Sequence, residues 1–174
     1  PAVGKSTTSR ALAARFSKSI HIPVDDLREM VVSGLKLPGA VWSDELAQQI
    51  TLARRTVVQM AISYQITGFT VVIDDFWDDG LHSDYEALFS QPNLHKFTLL
   101  PRQDEAHQRN LARSGDSPAR SYIDEGIRLV YEQLNSALPH LQQSGWLVVD
   151  TTTLSVESTV AEIIQRSRVE IVPG

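Results

Sequence analysis

The sequence predicts an α/β domain of three layers, with helices on both faces of a mostly parallel sheet. Three observations lead there. Four short apolar runs, SIHIPV (19–24), FTVVI (69–73), KFTLL (96–100) and WLVV (146–149), lack the strict polar alternation of a half-exposed strand, as strands covered on both faces do. Longer stretches with helical periodicity separate them, which is the alternation of parallel strands joined by helices. The third observation is the opening PAVGKSTTSR, where Gly4, Lys5 and Ser6 supply the last three positions of G-x-x-x-x-G-K-[ST], a loop that runs from a strand into a helix.

The first glycine of that pattern would fall two residues before Pro1. A strand upstream of the residues given is therefore expected, as the middle member of a five-stranded sheet, and the chain is expected to be truncated at its N-terminus. Helices are predicted over 5–17, 26–33, 43–67, 83–90, 103–114, 118–138 and 155–167. In the third, Leu46, Ile50, Ala53, Val57, Met60 and Tyr64 recur every three or four residues, Ser43 is placed to cap the start, and Gly68 to end it. No repeat, low-complexity tract or linker divides residues 1–174, so one domain is expected.

Composition narrows the class. With 174 residues and 42% hydrophobic content the chain can bury a proper core. No run approaches the roughly 18 to 20 apolar residues of a membrane span, and a cytoplasmic enzyme is expected. The absence of cysteine excludes a disulfide framework and thiolate metal sites. Sixteen Lys+Arg against 21 Asp+Glu leave a net charge of −5, which argues against a broad nucleic-acid-binding surface.

Each residue of the opening has a job at a phosphate. Gly4 lets backbone N–H groups, with those of Ala2, Val3 and Thr7, close around phosphate oxygens in front of a helix N-terminus. Lys5 can reach the β- and γ-phosphates, and the Ser6 hydroxyl can ligate the magnesium that rides on them. In IHIPVDDLREMV (20–31), a strand ends in Asp25 and Asp26, with Arg28 one turn on, at the edge where α/β sheets bind ligands. A carboxylate there can accept the proton of an attacking hydroxyl, and Arg28 can hold the acceptor or the moving phosphoryl group. Asp25 is assigned to this chemistry and Asp26 to a helix cap.

In GFTVVIDDFWDDG (68–80), Asp74 follows an apolar strand, as an acid that orients magnesium does, although a plain acidic turn reads equally well in isolation. RQDEAHQRNLARSGDSPARS (102–121) carries Arg109 and Arg113 on one helical face and Arg120 beyond a glycine-containing break. That arrangement suits a lid that closes cations over phosphates, or a solvated face paired with Asp104 and Glu105. After the last strand come Asp150 and the loop Thr151 to Thr153, where Thr152 is a candidate contact to the nucleotide, and Ser155 with Ser158 or Glu157 opens the final helix. LKLPGAVWSDEL places Leu35, Leu37, Pro38, Val41 and Trp42 as an apolar wall for an acceptor or, for Trp42 and Trp77, as core.

With G-K-S-T at 4–7, V-D-D-L at 24–27, G-F-T-V-V-I-D-D at 68–75, the arginines from 109 to 120 and V-D-T-T at 149–152, the chain resembles the small P-loop kinases, most closely the chloramphenicol phosphotransferase-like group. The resemblance covers nearly the whole chain. It implies ATP and Mg2+ as cofactors, a small-molecule hydroxyl as acceptor, and Asp25 as the acid that deprotonates it. D-D-L-R at 25–28 is also similar to the D-D-x-R segment of polynucleotide 5′-kinases, in which the arginine contacts an acceptor-side phosphate. A nucleotide-dependent switch without an acceptor would use Lys5, Ser6 and Asp74 but not Asp25.

Overall fold

The computed structural model describes residues 2–37, 42–78, 80–115, 117 and 119–168. It is a mixed α/β structure in two compact units, residues 2–11 with 95–168 and residues 12–94. No helix among the described residues is long and apolar enough to cross a membrane.

In the unit of residues 12–94, β1 (Ser19–Pro23) and β2 (Thr70–Asp74) pair in parallel, from Ser19↔Thr70 to Pro23↔Asp74. Helix α2 (Val24–Glu29) leaves β1 without a break. Helix α3 (Asp44–Gln65) connects towards β2 and is capped by Ser43, whose Oγ accepts from the Leu46 N–H at 3.2 Å. Its buried stripe is Leu46, Ile50, Ala53, Arg54, Val57, Val58 and Ala61. The stripe predicted from periodicity runs on to Tyr64, but there the helix has passed the core, and Tyr64 is exposed with its ring edge-on to Phe69. The single helix predicted over 83–90 is two short ones, α4 (Leu81–Asp84) and α5 (Glu86–Phe89). They break at Tyr85, whose hydroxyl is drawn to Asp75 at 3.0 Å.

In the other unit, α1 (Lys5–Ala13) opens the chain, and β3 (Lys96–Leu99) pairs in parallel with β4 (Trp146–Val149). Between those strands run α6 (Gln103–Ser114) and α7 (Ala119–Gln143), and α8 (Val156–Ser167) follows β4. Ala106, Ile127 and Tyr131 form the centre of a core against which Ala2, Leu100 and Ile123 pack. Helix α7 outruns its predicted end at 138. Pro139 lies inside it, and the last turn holds through the Ser144 N–H on the His140 carbonyl until Gly145 turns at φ 82°. The strands pair two by two, and a five-stranded sheet is not shown among the described residues.

Candidate functional site

Gly4 has φ 84° and Ala2 φ 56°, two left-handed residues on either side of Val3, and α1 starts immediately afterwards at Lys5. The Thr8 N–H bonds back to the Gly4 carbonyl at 2.9 Å and closes the first turn. A Cβ on Gly4 would approach nothing closer than Thr8 Oγ1 at 3.9 Å, so the dihedral, not crowding, calls for glycine. Gly4, Ser6 and Thr7 are exposed and Lys5 is half-buried at the N-terminus of a nine-residue helix, the end whose dipole favours an anion.

The same unit brings Arg109 and Thr152 together. The Arg109 guanidinium donates to Glu105 Oε1 at 2.9 Å and to the Thr151 and Thr152 carbonyls at 2.7 and 3.3 Å. It therefore ties α6 to the loop after β4, whereas a lid cation was expected. That loop is itself closed: Asp150 Oδ1 accepts from Thr152 N and Oγ1, at 2.9 and 2.5 Å, and Thr152 Oγ1 accepts from Arg102 N at 2.8 Å. The two Thr152 bonds hold the Asp150 carboxyl below its ordinary range.

Arg113 is exposed, and Arg120, 3.8 Å from Asp124, is partly so. The junction between α6 and α7 turns at Gly115 (φ 53°) and is fastened by fully buried Asn110. Asn110 Nδ2 donates to the Arg120 carbonyl at 3.2 Å and to Asp124 Oδ1 at 2.9 Å, while its Oδ1 accepts from Ser114 at 2.9 Å. His107 Nδ1 meets the same Asp124 oxygen at 2.8 Å. These bonds, from His107 first and Asn110 second, lower the Asp124 pKa. Asp116 and Pro118 of the expected lid lie outside the described residues.

In the other unit, Asp25 is half-buried and Asp26 exposed, both in the first turn of α2. Asp26 is not the cap: α2 begins at Val24, after Pro23, with no side-chain cap bond. Starting one residue before the acids puts both carboxylates inside the turn, near the positive end of the helix dipole. Arg28 is only 7% exposed. One of its NH2 protons goes to the Lys36 carbonyl at 2.7 Å, and its buried Nε has no partner.

Asp74 and Asp75 part company at the end of β2. Asp74 Oδ2 lies 2.5 Å from His21 Nε2 on the neighbouring strand. Asp75 Oδ2 takes Arg54 Nε at 2.7 Å and the Tyr85 hydroxyl at 3.0 Å. Arg54, fully buried in α3, also reaches Asp78 at 2.8 Å, Asp84 at 3.3 Å and the Phe76 carbonyl at 3.1 Å. Sequence reasoning passed over both Arg54 and His21. A signal for Arg54 was there: it falls in the buried phase of α3 beside Ala53 and Val57, with an acidic run some twenty residues on.

Trp42 is 50% exposed and so is not core, Leu37 is exposed beside it in sequence terms, and Trp77 is half-buried. Pro38 and Val41 of the expected acceptor wall, and Asp79 of the acidic turn, lie outside the described residues. A shallow cavity of about 340 Å³ on α3 is lined by Ala47, Gln48, Thr51, Leu52 and Arg55, none of them a residue expected at the site. Among the described residues no three His, Asp or Glu side chains gather as a metal cage. Asp74 offers a single carboxylate at the end of β2, the kind of sparse oxygen donor that suits Mg2+ when phosphates and water complete its octahedron. No protein-family model and no curated protein matches the chain.

Proposed function

We propose that the protein is an ATP- and Mg2+-dependent kinase of the P-loop class that phosphorylates a hydroxyl of a small-molecule acceptor in the cytoplasm. The observation that carries the reading is the backbone at 2–5. Two left-handed residues lead into a helix whose first residues are Lys5 and Ser6. Such a concavity of N–H groups at a positive helix end suits a phosphate, and the ammonium of Lys5 adds charge where the γ-phosphoryl group must be stabilised. The parallel pairing of β1 with β2 and of β3 with β4 supports it.

In this reading the loop backbone and Lys5 bind the phosphates, and Ser6 and Asp74 are the residues that would hold the metal. When bound, Mg2+ offsets phosphate charge. Asp25 accepts the hydroxyl proton as the acceptor oxygen bonds to the γ-phosphorus. The bond from that phosphorus to the β–γ bridging oxygen breaks, and ADP leaves with the electron pair. Arg109 orients the loop carrying Thr152, while Arg113 and Arg120 remain the cations for the phosphate side.

Arg28 favours a second reading. A guanidinium buried to 7% exposure, with an unpartnered Nε and no carboxylate partner among the described residues, suits an acceptor that brings its own anion, such as the phosphate beside a polynucleotide 5′-hydroxyl.

The test uses the full-length protein with γ-labelled ATP and Mg2+ against hydroxylated small molecules and 5′-hydroxyl oligonucleotides. Label on a small molecule is the expected result. Label on the oligonucleotide would move the protein to the second reading, and ATP binding without any transfer would leave a switch module. Lys5→Ala and Asp25→Asn each must abolish transfer, the latter by about a hundredfold or more with ATP binding retained. Unchanged turnover in Asp25→Asn removes the assigned base.

A further inference from the structure

We propose that His21 is a positioning residue that sets the orientation of the Asp74 carboxylate for the metal. The inference rests on the kinase reading, because that reading gives Asp74 its magnesium role. Strand geometry makes the pair. In the β1–β2 register His21 stands opposite Val72, and since side chains alternate with a period of two, Val72 and Asp74 share a face. Asp74 is thus the diagonal neighbour of His21, within reach of a side chain of imidazole length. The contact is made at 2.5 Å between Nε2 and Oδ2, with the His21 side chain 16% and the Asp74 side chain 2% exposed.

A carboxylate buried this deeply needs a donor, and the imidazole supplies Nε2–H. It does more than satisfy an oxygen. The terminal torsion of aspartate is broad, so a carboxylate with a metal role keeps its plane only if something else fixes it. With Oδ2 committed to a ring that is itself held in a strand, both oxygens acquire defined directions. The other acids nearby cannot substitute. Asp75, Asp78 and Asp84 are engaged by Arg54, whereas the Oδ2 partner of Asp74 is a ring nitrogen. Ligand-orienting neighbours of this kind are worth roughly ten- to a hundredfold in metal affinity.

The experiment measures, on the full-length protein, the Mg2+ concentration that half-saturates binding of a fluorescent ATP analogue, together with the thermal midpoint without metal or nucleotide. His21→Ala should raise the Mg2+ midpoint by about tenfold or more. His21→Gln, whose amide nitrogen falls where Nε2 does, should restore most of it. In an Asp74→Asn background His21→Ala should add little, since the two act through one carboxylate. If His21→Ala does not fold, His21→Asn replaces it, because its donor falls at Nδ1, short of Asp74. A lowered thermal midpoint with the Mg2+ midpoint of the parent would overturn the proposal, leaving His21 structural and the kinase reading intact. An equal Mg2+ shift with and without Asp74 would overturn it too. Binding by the parent that ignores Mg2+ altogether would fell the kinase reading itself, and this inference with it.

Discussion

Arg54 is where a single residue matters most. One guanidinium, fully buried, faces Asp75, Asp78 and Asp84 and lies over the Phe76 ring at 5.1 Å. Burial opposes its charge, but bonds and attraction from Asp78 and Asp75 outweigh that and hold its pKa above the ordinary value. Burial pushes Asp75 up, against the pull of Arg54. Replacing Arg54 with methionine keeps much of the volume and removes the cation, so three acids are left without their counter-charge. The expected loss is about 3–5 kcal/mol in urea unfolding at neutral pH. The deficit should shrink at about pH 5, because carboxylates deprived of a cation titrate higher in the folded chain, and a group so raised contributes stability that fades as pH rises. A loss independent of pH would show that the acids are not its source. None of this was legible from Arg54 alone. Its phase in α3 marked a buried position, but its partners lie 21 to 30 residues away.

At the scale of elements, the junction of α6 and α7 depends on Asn110. Asn110→Ala strips a partner from the Arg120 carbonyl, Asp124 and Ser114 at once. We expect a loss of about 1–3 kcal/mol by thermal unfolding, with faster amide exchange at the start of α7 than in β4. Uniform exchange throughout would mean that the junction is not a local fastening. The bounds of α6 could be read in advance, since its pattern runs cleanly from 103 to 114 and Gly115 stops it. The fastening could not, because an asparagine in the middle of a helix usually faces water. Ser43 shows the reverse: a cap acts within one turn, so it was visible in the sequence and is present in the structure. The break between α4 and α5 at Tyr85 escaped because neither a glycine nor a proline marks it.

For the molecule as a whole, the acid limb of stability should come from carboxylates that the fold has made more acidic. Asp124 is lowered by His107 and Asn110, and Asp150 by Thr152, from a starting value of 3.8. A carboxylate whose folded pKa is depressed adds stability above its unfolded value and loses it as pH falls through the folded one. Unfolding free energy should therefore decline below about pH 4, and the Asp124→Asn, Asp150→Asn double variant should show a flatter decline. A limb identical to that of the parent would assign the acid sensitivity elsewhere.

The sequence by itself determined the kinds of element and their order, the capped start of α3 and the turn at Gly4. These follow from interactions within a few residues: side-chain period, a hydroxyl one turn from an N–H, a glycine where φ is positive. Tertiary structure decided which strands pair, that Arg109 ties down a loop, and how Asp74, Asp75, Asp78 and Asp84 are divided. Asp74 and Asp75 show the boundary between the two. Asp74 closes β2 and Asp75 follows it, and successive side chains there point to opposite faces. That one face would offer His21 and the other Arg54 depends on β1 and α3 arriving there, contacts over 53 and 21 residues that no local pattern encodes.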